Sequence, residues 1–144
     1  MDVKCALLNG YLTEDIYMQQ PQVFSTNPSL MCRLKKSLYG LKQAPGAWYG
    51  KIDIFLLSLN FVRCKSDPNV YLKLIHGFLM IFVFYFDDLL IKGSSKDEIA
   101  SLKDAMNHAF SMTDLGLLSQ FLGLDIAQTK KESKFISPSM PWIC

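Results

Sequence analysis

Asp87 and Asp88 are the residues of this chain whose type and setting most readily do chemistry. They stand side by side at the end of nine uninterrupted apolar residues, 78–86, in the stretch FLMIFVFYFDDLL over 78–90. Two adjacent carboxylates repel one another, and a bound divalent cation is the usual way to keep both ionised. Asp also tolerates the left-handed backbone of tight turns. Two readings therefore stand open on these residues alone. The pair is either the tip of a β-hairpin or a hairpin presenting carboxylates to a metal. Asp2 on its own reads as a solvated residue near the start of the chain.

The apolar run before the pair is β-branched and aromatic, as a strand buried on both faces would be. It is too short for a membrane span of about 20 residues. MDVKCALLNG (1–10) reads as a strand ending in a turn at Asn9 and Gly10. That strand has no lead-in, which suggests an internal methionine standing as the start, and a terminal strand frays unless tied down. Residues 30–38 read as a strand carrying basic side chains. Pro45 suits the first turn of a helix, and Trp48, Tyr49, Ile52, Phe55, Leu56 and Leu59 follow at helical spacing as a core stripe. A strand over 70–75 turns at His76 and Gly77 into the central run. Ser95 and Glu98 make a capping box for a second helix faced by Ile99, Leu102, Met106 and Phe110. Residues 112–116 read as a connector, and 121–127 with 134–136 as a final hairpin. This order predicts an α+β fold, an antiparallel sheet with two helices on one face and the other face free for a ligand.

With 144 residues, half of them hydrophobic, the chain is sized for one folded domain. Its net charge of +2 does not by itself signal nucleic acid, although Arg33, Lys35, Lys36 and Lys42 fall within ten residues. The four cysteines show no CxxC pair and no nearby histidine, which argues against zinc and for reduced thiols in an intracellular protein, cytoplasmic or nuclear. No signal peptide or membrane span is visible.

Four blocks then resemble the reverse transcriptase of Ty1/copia-type retrotransposons: MDVKCALLNG (1–10), LKKSLYGLKQAP (34–45), FYFDDLLI (84–91) and FLGLDI (121–126). EDIYMQQP (14–21) and SDPNVY (66–71) are similar too. The resemblance implies the palm of an RNA-directed DNA polymerase over residues 1–137, truncated at both ends, with 138–144 as an unstructured tail. It implies catalytic and metal-ligating roles for Asp2, Asp87 and Asp88, with two Mg²⁺ or Mn²⁺ ions. Asp2 and Asp87 would be the main ligands and Asp88 auxiliary, because successive strand side chains point to opposite faces. RNA template, DNA primer and deoxynucleoside triphosphates are the implied partners.

By the same resemblance, Leu7, Tyr39, Gly40, Lys42 and Gln43 would lie near the template and nucleotide. Leu122, Gly123 and Leu124 would form the primer grip, and Lys35 and Lys36 with Lys42 would contact phosphates. Leu7 stands where the family usually has an aromatic residue, and Gly46 where it has arginine. Phe86 replaces a common valine and reads as a conservative change in a buried strand. Fingers are incomplete and a thumb absent on this reading, so the expectation is a polymerase fragment inactive alone. The alternative is a non-catalytic remnant with weak nucleic-acid or protein binding. A palm-like nucleotide cyclase would also use paired carboxylates, but the YGLKQAP block argues against it.

Overall fold

The chain forms β1 (Asp2–Val3), β2 (Tyr17–Gln19), β3 (Met31–Arg33), α1 (Ala44–Ser58), β4 (Val62–Arg63), β5 (Val70–Ile75), β6 (Phe78–Tyr85), β7 (Asp88–Gly93), α2 (Lys96–Ala109), β8 (Met112–Thr113), β9 (Gln120–Phe121), β10 (Leu124–Gln128) and β11 (Ser133–Ile136). This computed structural model describes residues 1–24, 27 and 29–117, and the backbone of 120–121, 124–128 and 133–136. Six strands make the main sheet in the order β4-β5-β6-β7-β1-β8. Every pairing in it is antiparallel. β2 and β3 pair separately, and β9, β10 and β11 form a third small sheet. The class is α+β, as expected.

Alternation divides the main sheet into two faces. Register aligns Tyr71 with Phe82 and Phe84 with Leu89, and Leu89 exchanges backbone hydrogen bonds with Met1. These residues, with Val3 and Met80, are buried in one core with Trp48, Ile52 and Leu56 of α1 and Leu102 and Met106 of α2. Both helices therefore cover the same face. α1 begins with Pro45 in its first turn, and α2 with Ser95, whose hydroxyl accepts the Glu98 amide at 3.3 Å. The Ser95 cap and both helical stripes stand where the sequence put them.

Three local expectations are corrected. The strand expected over residues 1–8 stops at Val3, because Cys5 takes a left-handed conformation (φ 53°) and the chain coils into a 3₁₀ turn, Ala6–Asn9. That turn drops Ala6 and Leu7 into the core, and the buried Ser37 hydroxyl donates to the Leu7 carbonyl. The basic strand of residues 30–38 shrinks to Met31–Arg33, with Lys36 making one isolated bridge to Tyr11. The connector of 112–116 contains β8, which pairs with β1.

The start of the chain is not frayed either. β1 is inserted between β7 and β8, Met1 and Val3 are buried, and the Lys4 amide donates to Ser111 at 2.8 Å.

Candidate active site

The sheet face opposite α1 and α2 carries the acids. Asp2 lies directly opposite Asp88, Asp88 is also opposite Tyr85, and Asp2 is opposite Thr113. Tyr85, Asp88, Asp2 and Thr113 thus form one row across β6, β7, β1 and β8. Backbone hydrogen bonds join Met1 with Leu89 and Val3 with Asp87, on either side of the Asp2–Asp88 pair. That makes Asp2–Asp88 a non-hydrogen-bonded pair, with Cα atoms about 4.5 Å apart. Both side chains are half-buried. Burial, and then the charges of Asp87 and Asp2, push the Asp88 carboxyl above its ordinary value.

Asp87 occupies a different place. The hairpin tip is Phe86-Asp87, with Asp88 already opening β7, so the pair does not share the turn. Phe86 has φ 59°, at a position where two-residue hairpins with one positive φ prefer glycine. A bulky residue there costs about 1–3 kcal/mol. Phe86 is also 47 % exposed, so the reading of a conservative change in a buried strand is corrected. The Trp48 indole Nε1–H donates to the Phe86 carbonyl at 2.8 Å. Asp87 and Asp88 line one open cleft of about 490 Å³ with Asn69, Phe84, Tyr85 and Phe86. Trp48 was legible only as a core residue, since its approach to the hairpin is a tertiary contact.

The remaining expected positions lie elsewhere. Leu7 is 6 % exposed and belongs to the core. Tyr39, Gly40 and Lys42 are exposed on the loop before α1, Gly40 with φ 90°. Gln43 and Gly46 line a second groove, of about 500 Å³, with Tyr11, Glu14, Lys51 and Ile54. The Lys51 and Lys36 ammonium groups stand 4.9 and 5.7 Å from the Tyr11 ring centre, and Lys35 is exposed. Leu122 and Gly123 lie outside the described residues, and Leu124 is described only as the backbone opening β10.

Among the described residues, no three His, Cys, Asp or Glu side chains gather closely enough to hold a metal ion. The facing pair is Asp2 and Asp88, with Asp87 set off in the turn. The donor chemistry nonetheless suits a hard cation, since Mg²⁺ takes carboxylate oxygens and keeps several waters. No described helix is long and apolar enough to cross a membrane.

A family model described as reverse transcriptase (RNA-dependent DNA polymerase) matches residues 1–137. The chain belongs to the reverse transcriptase family. It is 44 % identical over 137 residues to the retrovirus-related Pol polyprotein from transposon TNT 1-94 of Nicotiana tabacum, covering 93 % of this chain and 10 % of that protein. Against the Pol polyprotein from transposon RE1 of Arabidopsis thaliana, identity is 38 % over 127 residues, 87 % of this chain and 9 % of that one. A putative transposon Ty5-1 protein of Saccharomyces cerevisiae is 35 % identical over 131 residues, 90 % of this chain and 42 % of its own length. The kinship with Ty1/copia-type elements expected from the blocks holds, and the chain spans about a tenth of the Pol polyproteins it matches. No solved structure matches it.

Proposed function

We propose that this chain is the palm of an RNA-directed DNA polymerase, supplying the carboxylates for nucleotidyl transfer through Asp2, Asp87 and Asp88. The observation that carries this reading is the cross-strand pairing of Asp2 with Asp88 beside the Asp87 turn, on the face opposite α1 and α2. Residues distant in sequence are brought together there, and burial first, then the charges of Asp87 and Asp2, raise the Asp88 carboxyl above its ordinary value. Mg²⁺ or Mn²⁺ would be held by Asp2 and Asp88 with Asp87 joining them. Bound as a pair, such ions activate the attacking oxygen and steady the leaving one. The chain's own part is to fix the carboxylates and leave the open face to an RNA template, a DNA primer and a deoxynucleoside triphosphate.

Alone, the chain polymerises weakly or not at all on this reading. Two-ion catalysis needs ligands held within about 0.5 Å, and Asp87 sits in the hairpin turn rather than in the facing strand pair. The remnant reading, binding without catalysis, draws on the same observation.

The test is Mn²⁺ binding and primer extension on an oligo(dT)-primed RNA, with wild-type chain and Asp87→Asn. Mn²⁺ binding that weakens in the variant, with no extension by either chain, is expected. Mn²⁺ binding indifferent to Asp87→Asn would overturn the carboxylate assignment. Extension that disappears in the variant would overturn only the inactivity of the isolated chain.

A further inference from the structure

The turn bearing Asp87 has a left-handed residue that its own side chain does not favour. Phe86 has φ 59°, and its ring is about half exposed, so burial does not hold it there. Among the described residues, the side-chain hydrogen bond to its carbonyl comes from outside the hairpin, from Trp48 on α1. That carbonyl belongs to the peptide linking Phe86 to Asp87. The next carbonyl, that of Asp87, accepts the Val3 amide at 3.0 Å. Asp87 is thus gripped at the peptide on each side, by α1 before it and by β1 after it.

Trp48 is built to be a fixed anchor. It is 1 % exposed, and its ring makes edge contacts with Phe84 at 6.1 Å and Phe110 at 5.2 Å. Its backbone is held close as well: a Cβ on Gly10 would meet the Trp48 nitrogen at 2.7 Å. The buried indole packs against these rings and points its N–H at the Phe86 carbonyl. A purely apolar core residue would need none of this.

We infer that Trp48 is a positioning residue, whose indole N–H locks the Phe86-Asp87 turn and so decides where the Asp87 carboxylate stands relative to Asp2 and Asp88. This deepens the polymerase reading and rests on it for the use of Asp87. Groups that hold a ligand in place from behind typically change metal affinity about 10–100-fold when removed.

The experiment compares the 144-residue wild-type chain with Trp48→Phe, Trp48→Phe/Phe86→Gly, Asp87→Asn and a core control, Phe61→Leu, which loosens the Phe61–Phe82 contact away from the turn. Mn²⁺ affinity is read by paramagnetic resonance and amide exchange by NMR. Trp48→Phe keeps an aromatic ring but loses the donor. It should weaken Mn²⁺ binding about tenfold and speed exchange of the Val3 amide, whereas Phe61→Leu should do neither. Glycine accepts the left-handed conformation without strain, so Phe86→Gly should restore part of the lost affinity. Trp48→Phe with wild-type affinity and unchanged Val3 exchange would overturn the inference, while Asp87→Asn still decides the polymerase reading separately. Should no chain bind Mn²⁺, the metal reading fails and Val3 exchange alone decides the role of Trp48. Should Trp48→Phe not fold, wild-type chain suffices: an indole proton exchanging as fast as an exposed one sinks the inference, and a protected one supports it.

Discussion

At the residue scale the site is a problem of like charges, and Asp88 shows its cost most plainly. Its carboxyl is raised above the ordinary value by burial and by the charges of Asp87 and Asp2. A carboxyl that is raised on folding binds its proton more tightly in the folded chain, so it opposes folding as pH climbs. The penalty is absent below the unfolded value near pH ~3.9, grows through the raised folded value, and is complete above it. Asp88→Asn should therefore raise the unfolding temperature at neutral pH in metal-free buffer by about 2 °C, the scale of about 0.5–1 kcal/mol in a domain of this size. The gain should vanish when the melts are repeated below pH ~3.9. The two adjacent acids were legible in the sequence because they break an apolar run. Which of them lies in the strand was not, because the turn begins at Phe86, a residue whose propensity argues against it and whose conformation is held by Trp48.

At the element scale, α1 involves two glycines with opposite consequences, Gly10 packed against it and Gly50 within it. A Cβ on Gly10 would come within 2.8 Å of the Ala47 carbonyl carbon and 2.7 Å of the Trp48 nitrogen, so the helix and the 3₁₀ turn touch backbone to backbone. Nothing stands within 4 Å of a Cβ on Gly50, inside the helix. Gly10→Ala should then destabilise by about 1–3 kcal/mol, as overpacking does. Gly50→Ala should stabilise by about 0.5–1 kcal/mol through helix propensity alone. Urea unfolding of both variants checks the pair, and equal signs would mean that the Gly10 contact is not tight. Helical periodicity made α1 and α2 legible, since Trp48, Ile52 and Leu56 recur on one stripe. β1 was misjudged in length because a single left-handed residue, Cys5, ends it, and no propensity of cysteine announces that.

At the scale of the whole molecule, the strand order explains why the site and the fold stand or fall together. β1 lies between β7 and β8, so Asp2, Asp88 and Thr113 become neighbours only when the beginning, middle and later parts of the chain have all docked. Strand order of this kind is not written in any local pattern, which is why the sheet was legible as antiparallel but not as one with an inserted strand. A cation that needs this assembly binds the folded chain and not the unfolded one, and stabilises it by mass action. Mn²⁺ at a hundredfold its dissociation constant should add about 2.7 kcal/mol, read as a concentration-dependent rise in unfolding temperature. The rise should shrink in Asp87→Asn. A stability defect elsewhere should leave it intact. Tyr71→Phe supplies that control: the Tyr71 hydroxyl donates to Asp53 at 2.7 Å, and Asp53 also pairs with Arg63, joining α1 to β4 and β5. Burial opposes the Asp53 charge, but hydrogen bonds from Arg63 and Tyr71 outweigh it and hold that carboxyl below its ordinary value. Losing one of those bonds should lower the baseline by about 1 kcal/mol without changing the Mn²⁺-dependent increment. A Mn²⁺ increment that survives Asp87→Asn but falls in Tyr71→Phe would place cation binding away from the sheet face altogether.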